Sequence, residues 1–419
     1  MTISPGSRDD VPRPAPSPAS AGESGPAPRG GARGLRVVCC PDSFKGTATA
    51  PEAAEALAAG VRDAGADAVE APMADGGEGT AAILAAGPAR RVRTVDALGR
   101  PAEAEWFPGR EPASAVLDVA SASGLPAVSD VLDAAGASTY GTGLVLRDLL
   151  DHGIRHVILC LGGSATTDGG RGILAAFGAV PGGDARVGDA APSGCVPGSP
   201  ASGPAPGSPA SGPAREPDAS ALDPRLRGMR WTLLVDVRTS PQDCAFVFGP
   251  QKGADGECVA QLTGHLREWC RVCGVDPSTA GYGAAGATPV GLDWLVRAVG
   301  GHLKLRPGAE HVALATGLPG LFDDADLVIT GEGSVDAQSG VGKVVGHVLD
   351  LAEACHGGDG VPVALAAGKL DGEADVVTRS ADATALDAPM ERTREALRAV
   401  GAELVRRAAA RRAAAGERA

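Results

Sequence analysis

The chain has 419 residues, of which 44% are hydrophobic, 21% charged and 3% aromatic, enough for two or three domains with cores of their own. Its 38 basic and 51 acidic residues leave a net charge of −13, which argues against a nucleic-acid surface, and so few rings offer little base stacking. No apolar run approaches the roughly 18 residues of a membrane helix, and the opening residues lack the apolar core of a secretory signal. The expectation is a cytoplasmic protein that acts on a small molecule, without nucleic-acid or membrane partners.

Residues 1–34 are rich in Pro, Ala, Gly and Ser and read as a disordered leader. Leu35 to Cys40 is a strand, Pro41 to Thr47 a loop, and Pro51 opens a helix that runs to Gly65. This β-loop-α unit puts Asp42, Ser43 and Lys45 at the carboxyl end of a strand, where doubly wound sheets hold ligands. Met73 to Thr80 is a second turn of glycines and acids, leading into a helix through Ile83 and Leu84. Ala115 to Ala120 alternates like a strand, and Ser138 to Gly143 opens a helix that ends at Gly153.

The apolar run His156 to Leu161 is a buried strand. It feeds the turn Gly162-Gly163-Ser164-Ala165-Thr166-Thr167-Asp168-Gly169-Gly170 and then a short helix from Ile173 closed by Gly178. Strand, glycine-rich turn and helix form an anion site, because the turn presents several N–H groups. Between Val180 and Ser220 periodicity collapses; Pro197 to Ala205 is repeated unchanged as Pro206 to Ala214, a low-complexity insertion that cannot bury a core. Leu233 to Asp236 then ends a strand on a carboxylate, and Val247 to Gly253 presents Lys252. Asp326 to Asp336 is a third strand-to-glycine unit, with Glu332 and Asp336 as acids and Gly342-Lys343 beyond. Pro362 to Ala366 is a last strand. From Glu391 an arginine-rich amphipathic helix packs on the surface by Leu397, Val400 and Leu404. Alternating β and α elements give the α/β class.

Only five of the basic residues are lysines, and Lys45, Lys252, Lys343 and Lys369 each adjoin a glycine, the placement of a compact ammonium that reaches a phosphate. The approach to Lys343 lacks the first glycine and terminal Ser/Thr of a P-loop. Gly281-Tyr282-Gly283-Ala284-Ala285-Gly286 fits the dinucleotide pattern without a strand before it. Cys270 and Cys273 lie at metal or redox spacing with no second pair and read as core residues in a helix.

The blocks Pro41 to Gly46, Pro72 to Thr80, Gly162 to Gly170, Val247 to Gly253 and Val328 to Gly333 with Asp336 and Gly342-Lys343 resemble, in order, the bacterial glycerate kinase family. The resemblance implies ATP-dependent phosphorylation of D-glycerate, usually at the 2-hydroxyl. It also implies two α/β domains: a discontinuous Rossmann-like one, placed at 35–78 and 287–390, and one inserted at 79–286, with the site in the cleft between them and 391–419 as a terminal helix. On that reading Asp168, Lys45 and Asp42 are catalytic, and Ser43, Asp75, Gly76 and Gly77 bind substrate. Gly162, Gly163, Ser164, Thr167, Gly169, Lys252, Gly331, Gly333 and Lys343 bind ATP, and Asp236, Glu332 or Asp336 hold Mg²⁺. A homodimer is among the expectations. The chain departs from the family at 180–220, between Asp236 and Val247, and at Gly281 to Pro289, where a run resembling Gly-Ala-Gly-Ala-Ala-Gly-Gly has changed. A kinase for a related hydroxy acid, a non-catalytic ligand binder and an NAD-type oxidoreductase using Gly281 to Gly286 stay open.

Overall fold

A computed structural model describes residues 32, 34–179, 215–336, 339–340, 343–355 and 360–416. All of the leader but Ala32 and Gly34, most of the 180–220 insertion and Gly342 lie outside the described residues; Ala32 is buried beside Leu35 and Leu57. Eleven strands among those described make two sheets. They are β1 (Arg36–Cys39), β2 (Asp67–Glu70), β3 (Arg90–Val95), β4 (Pro101–Pro108), β5 (Ser114–Asp118), β6 (His156–Cys160), β7 (Arg230–Val235), β8 (His302–Pro307), β9 (Leu327–Val335), β10 (Val363–Leu370) and β11 (Asp382–Ala385).

The first sheet has the order β11-β10-β9-β1-β2 and is parallel throughout. Its central strands are apolar on both faces, as strands covered by helices on each side must be. The helix Ala50–Asp63 begins on a capping box, with Thr49 and Glu52 each accepting from the other's backbone N–H and Pro51 in the first turn. The terminal helix Thr393–Gly416 lies against it and buries Leu397 and Leu404 beside Leu57, Ile329 and Ala364. Tight contact is possible because Gly60 has no Cβ; one there would lie 1.9 Å from the Arg398 carbonyl oxygen. The terminal helix is thus a full layer of the first sheet.

The second sheet has the order β3-β4-β5-β6-β7-β8, antiparallel up to β5 and parallel beyond. The sequence reading put the return to the first domain at residue 287, but β8 pairs with β7 and carries the second sheet on to Pro307. One face of this sheet builds its own core around Trp106, Trp231 and Trp269. The other shares a core with the first sheet: Val116, Cys160 and Leu234 belong to one apolar cluster with Val38, Val328 and Leu365. The chain crosses between the sheets after β2, along residues 71–79. Gly162 N–H donates to the Gly76 carbonyl at 3.2 Å, and Met73 N–H to Pro41 at 2.9 Å, so the crossing segment touches the carboxyl ends of β1 and β6 together.

Candidate active site

Asp42 follows β1, Asp236 follows β7, Glu332 lies within β9, and Asp75 sits on the crossing segment. Asp42 is held by local geometry: its N–H donates to Gly331 O at 2.9 Å, and its Oδ1 accepts from Ser43 N–H at 2.6 Å. Asp75 Oδ1 accepts from Gly77 N–H at 3.0 Å. Lys45 lies exposed on the same loop, its backbone packed on Gly333. A Cβ at Gly162 would come within 2.5 Å of Gly77 Cα, so the glycine-rich turn and the crossing segment meet only because both are bare.

These groups share one electric field. Burial pushes Asp42 up to about 7, helped by Asp75 and Glu332 and opposed by the Ser43 N–H and Lys45. Burial, then Asp75, pushes Asp236 up to about 6 against Lys343 and Lys45. Burial also raises Glu332, against a hydrogen bond from Ser339 and the charge of Lys343. Carboxylates tuned toward neutral pH beside the strand ends of both sheets, with lysines near them, are equipped for proton handling and for binding anions.

The far half of the glycine-rich turn folds away from these groups. Asp168 is 1% exposed. Its carboxylate accepts from Thr139 N–H and hydroxyl, both at 2.8 Å, from Gly170 N–H at 3.1 Å and from Gly172 N–H at 3.0 Å. Burial raises it, those donors pulling the other way. It ties the turn to the start of the Tyr140–Asp151 helix, a buried, fully bonded position instead of the open one expected of a catalytic acid. Gly169 is likewise taken up by packing, its carbonyl accepting from Trp269 Nε1 at 2.9 Å, and the Thr167 hydroxyl is buried. Lys252, expected at the nucleotide, is 3% exposed and lies beneath the turn. Its ammonium donates to Thr166 O at 2.6 Å and to Ser164 Oγ at 3.4 Å.

Among the described residues no three His, Cys, Asp or Glu side chains group as a metal site, so the expectation that Asp236, Glu332 or Asp336 holds Mg²⁺ is one of a single carboxylate rather than of a cluster. One further expectation changes. Gly281 to Gly286 follows turns and packs under the glycine-rich turn: Gly169 N–H donates to Gly286 O at 2.9 Å. Ala285, Gly286 and Ala287 are left-handed, with φ of 49°, 64° and 65°. The right-handed helix starts only at Thr288, so Pro289 stands in its first turn, where proline is tolerated. The structure therefore brings together Asp42, Ser43, Lys45, Asp75, Gly76, Gly77, Gly162, Gly163, Ser164, Asp236, Gly331, Glu332, Gly333 and Lys343. Sequence reasoning passed over Asp118, which accepts from Gly79 N–H at 2.8 Å and Ala81 N–H at 3.0 Å and so shapes the Gly76 to Thr80 turn. The signal was there, since Asp118 closes β5 as Asp236 follows β7.

A profile described as the Glycerate kinase family matches residues 37–415. The chain is 35% identical over 348 residues to the glycerate kinase of Halalkalibacterium halodurans, covering 80% of this chain and 85% of that protein. It is 34% identical over 358 residues to the glycerate 2-kinase of Escherichia coli K12, covering 82% and 87%. In structure it is similar to a Salmonella typhimurium LT2 protein assigned as glycerate kinase 2, with a TM-score of 0.69 at 31% identity, covering 91% of this chain and 99% of the other.

Proposed function

Because this chain belongs to the glycerate kinase family, we propose that it transfers the γ-phosphoryl group of ATP to the 2-hydroxyl of D-glycerate, giving 2-phosphoglycerate and ADP. The observation that carries the mechanism is the placement of Asp42, fixed after β1 by Gly331 O and Ser43 N–H on the loop that carries Lys45, where burial and Asp75 push its carboxyl up. Phosphoryl transfer rests on positioning and electrostatics. Asp42 orients the acceptor hydroxyl and takes its proton as the new O–P bond forms; the bond to the leaving phosphate breaks, and ADP departs with its electron pair. Lys45 and Lys343 balance the anionic groups of substrate and nucleotide. The Gly162 to Ser164 turn cradles phosphate through backbone N–H groups and the Ser164 hydroxyl. Ser43, Asp75, Gly76 and Gly77 line the glycerate side. Asp236, Glu332 or Asp336 would hold a Mg²⁺ ion that needs few protein carboxylates, and the ion would neutralise charge on the nucleotide's phosphates.

No helix among the described residues is long and apolar enough to cross a membrane. The eight described cysteines are free thiols, which supports placing the enzyme in the reducing cytoplasm. The test is a coupled assay of ADP release with D-glycerate, L-glycerate and a panel of small hydroxy acids. Nucleotide binding without glycerate-dependent ADP release would make the protein a ligand binder. Phosphorus NMR reads the product, and a 3-phosphate would overturn the regiochemistry alone.

A further inference from the structure

We propose that Lys252 is a positioning residue for phosphate binding: from beneath the glycine-rich turn its ammonium holds the Ser164 hydroxyl so that the hydroxyl proton faces the bound phosphate. The proposal rests on reading Gly162 to Ser164 as the phosphate site.

An ammonium carries donors only, so in the 3.4 Å contact between Lys252 Nζ and Ser164 Oγ the hydroxyl accepts. Its own proton is then free to point away from Lys252, and the residue before it, Gly163, is exposed. The backbone around it is braced. Leu125 N–H donates to Gly163 O and Ala165 N–H to Ser123 O, both at 2.9 Å, leaving the hydroxyl rotor as the free variable that Lys252 sets.

Electrostatics point the same way. A buried ammonium needs compensation, yet Lys252 is bonded only to neutral oxygens. Burial lowers it to about 8, and the groups facing it are Cys244 and Asp168. The Cys244 thiol is itself pushed up to about 12 by burial and so is neutral, while the Asp168 carboxylate is engaged by four other donors. A phosphate on the turn, one hydroxyl away, supplies the missing negative charge. A strut that only supported the turn would work as well with an uncharged end.

The experiment is a double-mutant cycle with Lys252→Met, Ser164→Ala and the pair, read as KM for ATP, kcat and melting temperature. Each single variant should raise KM on the order of tenfold, the loss of one charge-assisted hydrogen bond, and the double should be no worse than either. Multiplied effects in the double variant, or an unchanged KM in Lys252→Met when Ser164→Ala is impaired, would overturn the role of Lys252. If Ser164→Ala and Gly163→Ala both keep the normal KM, the phosphate-site reading fails and the proposal with it. Should Lys252→Met not fold, pH poses the same question. KM for ATP should rise between pH 7 and 9 in the unaltered enzyme, as Lys252 loses its proton, and stay flat in Ser164→Ala; a flat profile in the unaltered enzyme refutes the proposal.

Discussion

Replacing Asp42 by Asn should stabilise the protein while disabling it, and the gain should depend on pH. In the folded chain Asp42 is pushed from 3.8 to about 7, so an ionised Asp42 destabilises the native state. Roughly three pH units at 1.36 kcal/mol each set a ceiling of about 4 kcal/mol, and relaxation shared with Asp75 and Glu332 leaves on the order of 2–4 kcal/mol. The folded value lies above the unfolded one. Below about pH 4 the native carboxyl is neutral and the penalty is absent; it grows from pH 4 to 7 and is complete above 7. Asn keeps the oxygen that accepts from Ser43 N–H and removes only the charge. Melting curves of Asp42→Asn and wild type, without nucleotide or metal, should separate by several degrees at pH 8 and converge at pH 4. At pH 8, kcat should fall on the order of 10²–10⁴-fold, the range for a lost general base. A stability gain of equal size at both pH values, or none at pH 8, would refute the electrostatic reasoning; a normal kcat would remove Asp42 as the base.

Asp168→Asn places an NH₂ group among four donors and should lower stability by about 2–4 kcal/mol, with near-normal KM and kcat in the folded fraction at low temperature; a large kcat loss with an unchanged melting temperature would return Asp168 to the catalytic set. Gly286→Ala forces a Cβ to within 2.0 Å of Thr166 O at a φ of +64° and should cost about 2–4 kcal/mol in urea denaturation. Gly60→Ala would gain about 1 kcal/mol by helix propensity, but the contact with Arg398 O makes it destabilising by about 1–3 kcal/mol, with turnover at 20 °C unaffected; a raised melting temperature would show that the two helices can separate.

Much of the candidate site was legible because it is built from local units. A strand that ends in Asp42, or in the Gly162 turn, carries that group to the carboxyl edge of its sheet wherever the sheet lies, so Asp42, Ser43, Lys45 and Glu332 could be placed without a fold. The tail helix was legible from its periodicity, but its partner was not, since nothing near Gly60 announces that a helix over 300 residues away needs the space. Strands β2, β3, β4, β8 and β11 went unread: β2 and β11 are four-residue edge strands, Arg90 to Val95 and His302 to Pro307 alternate with charged residues on the open face, and short or half-exposed strands are a weaker signal than an apolar run.

Composition, the alternating β and α runs and the ordered glycine-and-acid blocks were enough for an α/β protein with a ligand site at its strand ends, because each of those features is decided by residues a few positions apart. Which of the acids meets the ligand was decided only in three dimensions. Asp42 and Asp168 sit in similar strand-to-helix turns, yet one stays partly exposed and the other is drawn into the core. Trp269, Gly286 and Thr139, far from Asp168 in the chain, hold the second turn down, and a carboxylate follows whichever donors surround it.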